Sequence, residues 1–446
     1  MLRHAFLWLI YIGLLLPFAA FAQNNTVATG EDLSLSACVQ YALQHQPALK
    51  QSYIDQSITK SNIDISLSAW LPQAGVNANL QHYFDLPVAF SGATTPATVV
   101  KSGLNNISTP QLNVSQTIFN PDVLYALKSA RSYSLQAKQN ITNTKINLVV
   151  AVSKAFYDLL LSQQQLGILE EDIARLEKNL KDAYSQYEGG TADKVDYKRA
   201  TIALNNSKAE LKATQEILKV KYASLRQLIG YPEEQKLKVR FDTAQLMQEV
   251  FYDTAQTLRY DKRIEYQSLQ TAMNLQQQTS KYYRTGFLPS LSGFYTYNLL
   301  YESNTFSDLF SQSYPNSLIG LNFSIPLFQG LKRVDNLHKS KLQQERLDWD
   351  MANLKLQIST DYTLALASYK SNLNELHTLQ ENVQIAREVY NVVKLQYNEG
   401  IKQYIEVIAA ETDLRTSEIN YLNALFHLLE SKLDLQKSLG DISGNI

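Results

Sequence analysis

Two stretches of the chain decide its fold: residues 166–190 read LGILEEDIARLEKNLKDAYSQYEGG, and residues 376–400 read LHTLQENVQIAREVYNVVKLQYNEG. Apolar residues in the first stretch alternate spacings of three and four, at Leu166, Leu169, Ile173, Leu176, Leu180, Ala183 and Tyr187. The positions 210 residues later are again apolar or tyrosine, namely Leu376, Leu379, Val383, Ala386, Tyr390, Val393 and Tyr397. This spacing is typical of helices packed side by side. Its return at a constant offset indicates an internal tandem repeat.

Shorter motifs extend the duplication over most of the chain. Trp70-Leu71-Pro72 recurs as Phe287-Leu288-Pro289, and Leu228-Ile229-Gly230 recurs as Ser438-Leu439-Gly440. The predicted organisation is therefore a first repeat over 23–230, a linker over 231–255, a second repeat over 256–440 and a tail over 441–446.

Each repeat is predicted to build one very long helix and one shorter helix. Asn120 is a good N-cap and Pro121 suits the first helical position. A helix over 121–188 would be roughly 100 Å long at about 1.5 Å per residue. Gly189 and Gly190 end it. The remaining predicted helices cover 35–69, 193–229, 256–285, 331–399 and 403–439.

Segments of alternating polarity lie between these helices. They cover 73–84, 111–119, 290–301 and 317–328, and the polar side of the alternation consists of Asn, Gln, Ser and Gly rather than charges. Period-two alternation predicts strands, and their lengths match tilted membrane strands with an apolar outer face. Soluble strands packed on a helical domain are the alternative. Because four strands cannot close a barrel and open edges cannot exist in lipid, the membrane interpretation requires oligomerisation.

Residues 86–106 and 302–316 are predicted to be loops outside the membrane. At the N-terminus, an apolar run over 5–16 precedes Ala20-Phe21-Ala22, which predicts a signal peptide over 1–22 cleaved before Gln23. An uncleaved anchor is the alternative. The single cysteine, Cys38, lies far beyond the apolar run, so a small buried thiol is favoured over lipidation.

Composition argues against enzymes and nucleic-acid-binding proteins. The net charge is −1 and no basic stripe is present, so no nucleic-acid partner is predicted. The 6 histidines are scattered without metal-ligand spacing, and no nucleophile or phosphate-binding motif occurs. We therefore predict no catalytic residue, no metal and no cofactor.

The order of these features resembles the TolC-type outer-membrane efflux family. The residues that carry the resemblance are Leu33 to Leu49, Trp70-Leu71-Pro72 and Tyr397 to Val407, within a match that runs from about Leu33 to Gly440. The resemblance implies an α+β membrane protein and a homotrimer. Three copies would form a 12-stranded outer-membrane barrel, four strands per chain, continued by an α-helical coiled-coil barrel in the periplasm. An equatorial zone would lie near 231–254 and at the C-terminus.

The resemblance also implies partners and site residues. A periplasmic adaptor would dock at the helix tips, and an inner-membrane pump of resistance-nodulation-division or ABC type would drive export. The tips are Gly189, Gly190, Thr191, Ala192, Gly400 and Ile401. The family's gate pattern falls on Tyr397, Lys402 and Glu406, with Asp196 as the first-copy equivalent of Glu406. Ala409 replaces a second acid of the family, and ordinary exposed polar residues near a turn are the alternative for the gate.

The predicted function is a passive outer-membrane conduit of a tripartite efflux or type I secretion system. A periplasmic coiled-coil scaffold without a pore is the alternative, and it would be extractable without detergent. The sequence leaves the cargo open among drugs, metals and proteins, since the pump selects the cargo.

Overall fold

A computed structural model of the protein describes residues 33–91, 98–239 and 250–442. The predicted signal peptide over 1–22 lies outside the described residues, as do parts of the predicted linker and tail. The described helices are α1 Leu35–His45, α2 Pro47–Ser68, α3 Pro121–Glu188, α4 Lys194–Ile229, α5 Ile264–Thr285, α6 Lys332–Asn398 and α7 Tyr404–Leu439. The described strands are β1 Gln73–Asn77, β2 Leu80–His82, β3 Val88–Ser91, β4 Thr98–Lys101, β5 Asn106–Ser108, β6 Gln111–Phe119, β7 Ser290–Ser303 and β8 Ser313–Ser324.

The long helices form two antiparallel hairpins. Helix α3 has 68 residues and α6 has 67, while α4 and α7 have 36 each. The α3 start is capped as expected, because the Asn120 side chain accepts a hydrogen bond from the Asp122 amide at 2.7 Å. Asp193 caps α4 in the same way. The predicted long helices are confirmed to within one residue at each end.

The main hydrophobic core lies where the two hairpins and α1 meet. Leu159 of α3, Ile229 of α4 and Leu428 of α7 are fully buried there. Cys38 is buried in the same cluster, which matches the predicted small core thiol, and burial raises the pKa of its thiol to about 12. Within the described residues, no helix is both long and apolar enough to cross a membrane.

The main sheet is antiparallel and contains six strands. Two pairs of short strands, β1 with β2 and β5 with β6, each lie end to end, so the sheet is only four strands wide. Strands β6 and β5 follow one another along the same edge of β7, and β1 and β2 pair with them on the far side. Strand β8 pairs with the opposite edge of β7. The four predicted strands are therefore present, and the line formed by β5 and β6 breaks at Pro110, which has no amide hydrogen to donate.

The pairing register places the apolar side chains of neighbouring strands on the same face. Tyr295 of β7 lies opposite Val114 of β6 and Ile319 of β8. Ile319 is 84% exposed and Leu321 is 70% exposed, so this apolar face is open. The other face is mainly polar, and Phe294 and Leu318 also lie on it.

That polar face is linked by hydrogen bonds between strands. Thr296 Oγ1 donates to Asn113 Oδ1 at 3.2 Å, and Asn298 Nδ2 donates to Asn316 Oδ1 at 2.9 Å. The predicted alternation between an apolar and an uncharged polar face is confirmed.

Several predicted boundaries are wrong, and each has a local cause. The helix predicted over 35–69 is broken into α1 and α2, because Gln46 is extended and Pro47 starts a new helix. The helix predicted over 256–285 begins only at Ile264, after a short 3-10 turn at Tyr260–Lys262. The strand predicted over 317–328 lies at Ser313–Ser324, since Pro326 cannot donate to the ladder.

The two predicted loops also contain regular structure. Residues 86–106 include the β3–β4 hairpin and the first residue of β5, and 302–316 include the start of β8. Alternation was hard to recognise there because these strands are short, between 3 and 4 residues for β3, β4 and β5.

We expect Gly230→Ala to destabilise the protein more than Gly190→Ala. Both glycines have positive φ, at +69° and +74°, so either alanine costs about 1–2 kcal/mol of backbone strain. At Gly230 the new Cβ would also lie 3.0 Å from the His45 carbonyl oxygen, whereas nothing lies within 4 Å of it at Gly190. Thermal unfolding followed by circular dichroism in detergent measures the difference. Equal shifts would contradict the close packing of α1 against the end of α4.

Candidate functional site

The two hairpin tips have the same construction. Helix α3 ends at Glu188, and α6 ends at Asn398. In each turn a glycine with φ of +74° reverses the chain, at Gly190 and at Gly400. The amide two residues after the cap then donates back to the helix, from Thr191 to Gln186 at 2.9 Å in the first turn. Only glycine adopts this backbone without strain, which explains the glycine at both tips.

The predicted docking residues lie at these turns. Gly189, Gly190, Thr191, Gly400 and Ile401 are exposed, and Ala192 is half-buried. Ile401 is 71% exposed, although it is a large apolar residue. The tip of the second hairpin thus presents an apolar side chain to its surroundings.

The predicted gate residues are only partly brought together. Lys402 forms an ion pair with Glu406, one turn along α7. The Tyr397 hydroxyl donates to Gln186 Oε1 at 2.7 Å, which joins the second hairpin to the first. Among the described hydrogen bonds, none connects Asp196 to Tyr397 or to Lys402.

Asp196 still acts on Tyr397 through space. Burial raises the pKa of the Tyr397 hydroxyl, and the negative charges of Asp196 and Asp182 raise it further. The hydroxyl therefore remains a neutral hydrogen-bond donor. Sequence reasoning missed Gln186, because a glutamine near a turn has no distinguishing pattern.

Tyrosine rings pack against one another at the tips, in the interior at Tyr404 and on the exposed side at Tyr187. The rings of Tyr397 and Tyr404 lie 5.4 Å apart, and those of Tyr187 and Tyr197 lie 5.0 Å apart. Tyr404 is 1% exposed and belongs to a small apolar core with Ala183, Ala200 and other residues of both hairpins. Aromatic pairs at these distances add about 0.5–1.5 kcal/mol each beyond burial. The tip is therefore a packed structure.

A buried charged cluster lies farther from the tips, between α3, α4, α6 and α7. Asp172 is 1% exposed and Glu411 is 3% exposed. Asp172 accepts a hydrogen bond from Ser207 Oγ at 2.8 Å, and its oxygens lie 3.4 Å from nitrogens of Arg175 and Arg415. Two arginines thus face one buried carboxylate.

Glu411 is less completely satisfied than Asp172. Its Oε2 accepts a hydrogen bond from Asn179 Nδ2 at 2.9 Å. Its Oε1 lies 3.4 Å from Arg175 Nε, but neither atom has a hydrogen-bond partner among the described residues. Burial raises the pKa of Glu411 to about 7, and the charge of Asp172 adds to the effect.

Sequence reasoning missed this cluster. Asp172–Arg175 and Glu411–Arg415 have the spacing of ordinary helical ion pairs, which are usually solvent-exposed. Their burial depends on the crossing of α7 over α3 and α4. An open cavity of about 480 Å³ beside them is lined by Arg199, Ile202, Asn206, Ile405 and Thr412 as well as the cluster.

No group of three or more His, Cys, Asp or Glu side chains is placed to hold a metal within the described ranges. The described part of the chain is a bundle of packed helices joined to a two-sided sheet.

The family model for outer membrane efflux proteins matches residues 38–231 and 261–441. The chain belongs to the outer membrane efflux protein family. Members are outer-membrane channels of efflux or type I secretion and are not enzymes, so the predicted location and role are confirmed. The helical part lies in the periplasm.

Relatives and solved structures agree with this membership. Outer membrane protein TolC of Vibrio cholerae is 21% identical over 439 residues, covering 96% of each chain. Alkaline protease secretion protein AprF of Pseudomonas aeruginosa is 19% identical over 324 residues, covering 70% of this chain and 67% of that protein. The outer membrane protein VceC of Vibrio cholerae has a TM-score of 0.72 at 16% identity, covering 91% of this chain and 96% of that chain, and shares the fold.

We expect Arg415→Met to destabilise the protein by about 3 kcal/mol, because it leaves the buried carboxylate of Asp172 with one cation fewer. Arg387→Met is the matched control, since Arg387 is 61% exposed and pairs with Glu418 on the same helix as Arg415. An exposed pair contributes about 0–1 kcal/mol. Thermal unfolding of both variants measures the difference, and similar losses would show that the cluster adds no stability.

Proposed function

We propose that three copies of this chain close a twelve-stranded barrel in the outer membrane and continue it as a helical tunnel in the periplasm. The tunnel is a passive conduit for export. The single observation that carries the proposal is the sheet, which has an exposed apolar face, a polar face and two free outer edges among the described strands.

The free edges require further strands. Strand β1 pairs with β6, and β8 pairs with β7, so the outer edge of each has no partner strand within the described part of the chain. In lipid, each unpaired backbone group costs several kcal/mol. Edges of neighbouring copies supply the missing partners and close the wall.

The helices support the same assembly. Leu342, Trp349 and Leu356 of α6 recur every seven residues and are 52%, 71% and 70% exposed. A heptad stripe of large apolar residues is typical of a helix with a partner. A helix of a neighbouring copy covers this stripe in the proposed trimer. The internal tandem repeat is supported by the matching lengths of the two hairpins. Because of this repeat, each copy contributes two similar helical hairpins to the tunnel wall.

The tips are the proposed contact with a periplasmic adaptor, which links the channel to an inner-membrane pump of resistance-nodulation-division or ABC type. The exposed Ile401 supports this assignment. Gly189, Gly190, Thr191, Ala192 and Gly400 shape the turns that the adaptor meets. Cargo selection belongs to the pump.

The gate is proposed to lie just behind the tips. The hydrogen bond from Tyr397 to Gln186 holds the second hairpin against the first. Asp196 stabilises the neutral donor form of Tyr397, and the Lys402–Glu406 pair fixes the first turn of α7. Three copies of Glu406 around a threefold axis would give a cation-attracting constriction.

We expect Leu321→Lys to prevent assembly and the neighbouring Asn322→Lys to be tolerated. Leu321 is on the exposed apolar face, where a lysine at the bilayer midplane costs about 2–4 kcal/mol per chain, whereas Asn322 is on the polar face. Outer-membrane fractions extracted in detergent are analysed by size exclusion with light scattering. The unsubstituted protein should be a trimer.

A soluble monomer or dimer of the unsubstituted protein, extractable without detergent, would favour a periplasmic scaffold without a pore. Equal behaviour of the two lysine variants would contradict the assignment of the two sheet faces.

We expect the double variant Asp196→Ala with Tyr397→Phe to raise the conductance of the purified trimer in planar bilayers. Loss of one hydrogen bond, about 0.5–1.5 kcal/mol per chain, favours separation of the hairpins by roughly twofold to thirteenfold. Tyr187→Phe is the matched control, because Tyr187 is the equivalent tyrosine of the first repeat. If the control raises conductance equally, the gate does not depend on Tyr397.

A further inference from the structure

The buried charged cluster joins all four long helices of one chain. Asp172, Arg175 and Asn179 come from α3, Ser207 from α4, Lys394 from α6, and Glu411 and Arg415 from α7. Each contact between the first three and the last three crosses from one hairpin to the other. The cluster therefore connects the two hairpins at a second place, farther from the tips than the residues already assigned to the gate.

Two arginines lie near the Asp172 carboxylate, whereas only Arg175 lies near a carboxylate oxygen of Glu411. Arg415 Nη1 donates to Ser207 Oγ at 2.7 Å and lies 3.4 Å from Asp172. Lys394 Nζ donates to Asn179 Oδ1 at 3.0 Å and so reaches Glu411 only through that amide. Arg175 is shared between the two carboxylates. Ionised Glu411 thus has one direct hydrogen bond and one poorly aligned cation.

Adding a proton to the Glu411 carboxylate is the smallest change that would remove its unbalanced negative charge. A protonated Glu411 removes the repulsion from Asp172 and leaves the arginines to a single carboxylate. The titratable and charged groups around Glu411 are Asp172 and Arg175 of α3, Lys394 of α6 and Tyr404 of α7, and Arg199 of α4 and Arg415 of α7 line the same cavity. Three groups lie one contact farther away: Glu171 pairs with Arg175, Glu210 pairs with Arg415, and Tyr390 accepts a hydrogen bond from Lys394.

We propose that this cluster is a proton-operated latch between the two hairpins. With a proton on Glu411, α7 is held against α3; when the proton leaves, two buried carboxylates compete for Arg175 and the contact loosens. The effect on conductance rests on the proposed channel function, whereas the effect on hairpin packing does not.

The sign follows from the two states. In the latched state the pKa of Glu411 is about 7, and in a water-exposed, unlatched state it returns toward the ordinary value of about 4.3. The latched state binds more protons between these values, so the latch is tight in mild acid. The equilibrium constant for separation of the hairpins rises about tenfold per pH unit between about pH 4.3 and about pH 7, and it is nearly constant above pH 7.

The latch is tested by measuring the spacing of α4 and α7 in the full-length protein. Spin labels on Ile202→Cys and Ile405→Cys report it by double electron–electron resonance, because both residues are exposed and line the cavity beside the cluster. Native Cys38 is fully buried and does not compete for the label. From pH 5 to pH 7 we expect the separated population to rise relative to the latched one by roughly fortyfold.

Glu411→Gln is the deciding variant, because it is isosteric and permanently neutral. We expect it to keep the short distance from pH 5 to pH 8. Glu418→Gln is the matched control on the same helix and should respond to pH as the unsubstituted protein does. A response in Glu411→Gln equal to that of the control, or no response in the unsubstituted protein, overturns the latch.

Two further measurements separate the possible failures. If Glu411→Gln does not fold, Asp172→Asn takes its place: removing the neighbouring negative charge should move the midpoint to lower pH, and an unchanged midpoint overturns the proposal. Conductance of the unsubstituted trimer is recorded at pH 5 and pH 8. A pH-dependent distance without any channel supports the latch and contradicts the channel function, whereas a channel with a constant distance does the reverse.

Discussion

The structure depends on the apolar seams between its long helices. The 68-residue helix α3 depends on this packing, since most helical stability in proteins comes from packing an amphipathic face. Residues such as Leu169, Leu176 and Ala183 of α3 bury that face against the other helices. The small side chains near the tips, including Ala183 and Ala200, let the helices approach closely there. The direction in which the hairpins extend sets the positions of the tips and of the sheet.

The same seams contain groups that an apolar core would exclude. Asp172, Asn179 and Glu411 are nearly fully buried. Burying an ionised carboxylate is costly, and an apolar replacement is often as stable or more so. The cluster is therefore better explained by a role in which the contact must form and separate. Its position between the two hairpins, rather than within one, agrees with such a role.

The sheet poses the opposite problem, because it is incomplete in one chain. Its apolar face is exposed at Ile319 and Leu321, and the outer edges of β1 and β8 lack a partner strand within the described residues. Both features would be liabilities in a protein that remained alone in water. In the proposed assembly, lipid covers the face and neighbouring copies cover the edges, so the membrane and oligomerisation solve one problem together.

The sequence by itself determined the long helices, the strand faces and the family, because each depends on a local period or on a motif in a fixed order. The capping residues Asn120 and Gly189 placed α3 within a residue at both ends, and alternation assigned Leu321 and Asn322 to opposite faces. The sequence pattern did not predict the helix break at Pro47 or the position of β8. A periodic pattern is compatible with several start and end residues, so it does not fix the boundaries of an element. Only the tertiary structure decided that Tyr397 meets Gln186, and that Glu411 lies beside Asp172 rather than in water. Those contacts join residues more than 200 positions apart, and their chemistry depends on the burial that helix crossing creates.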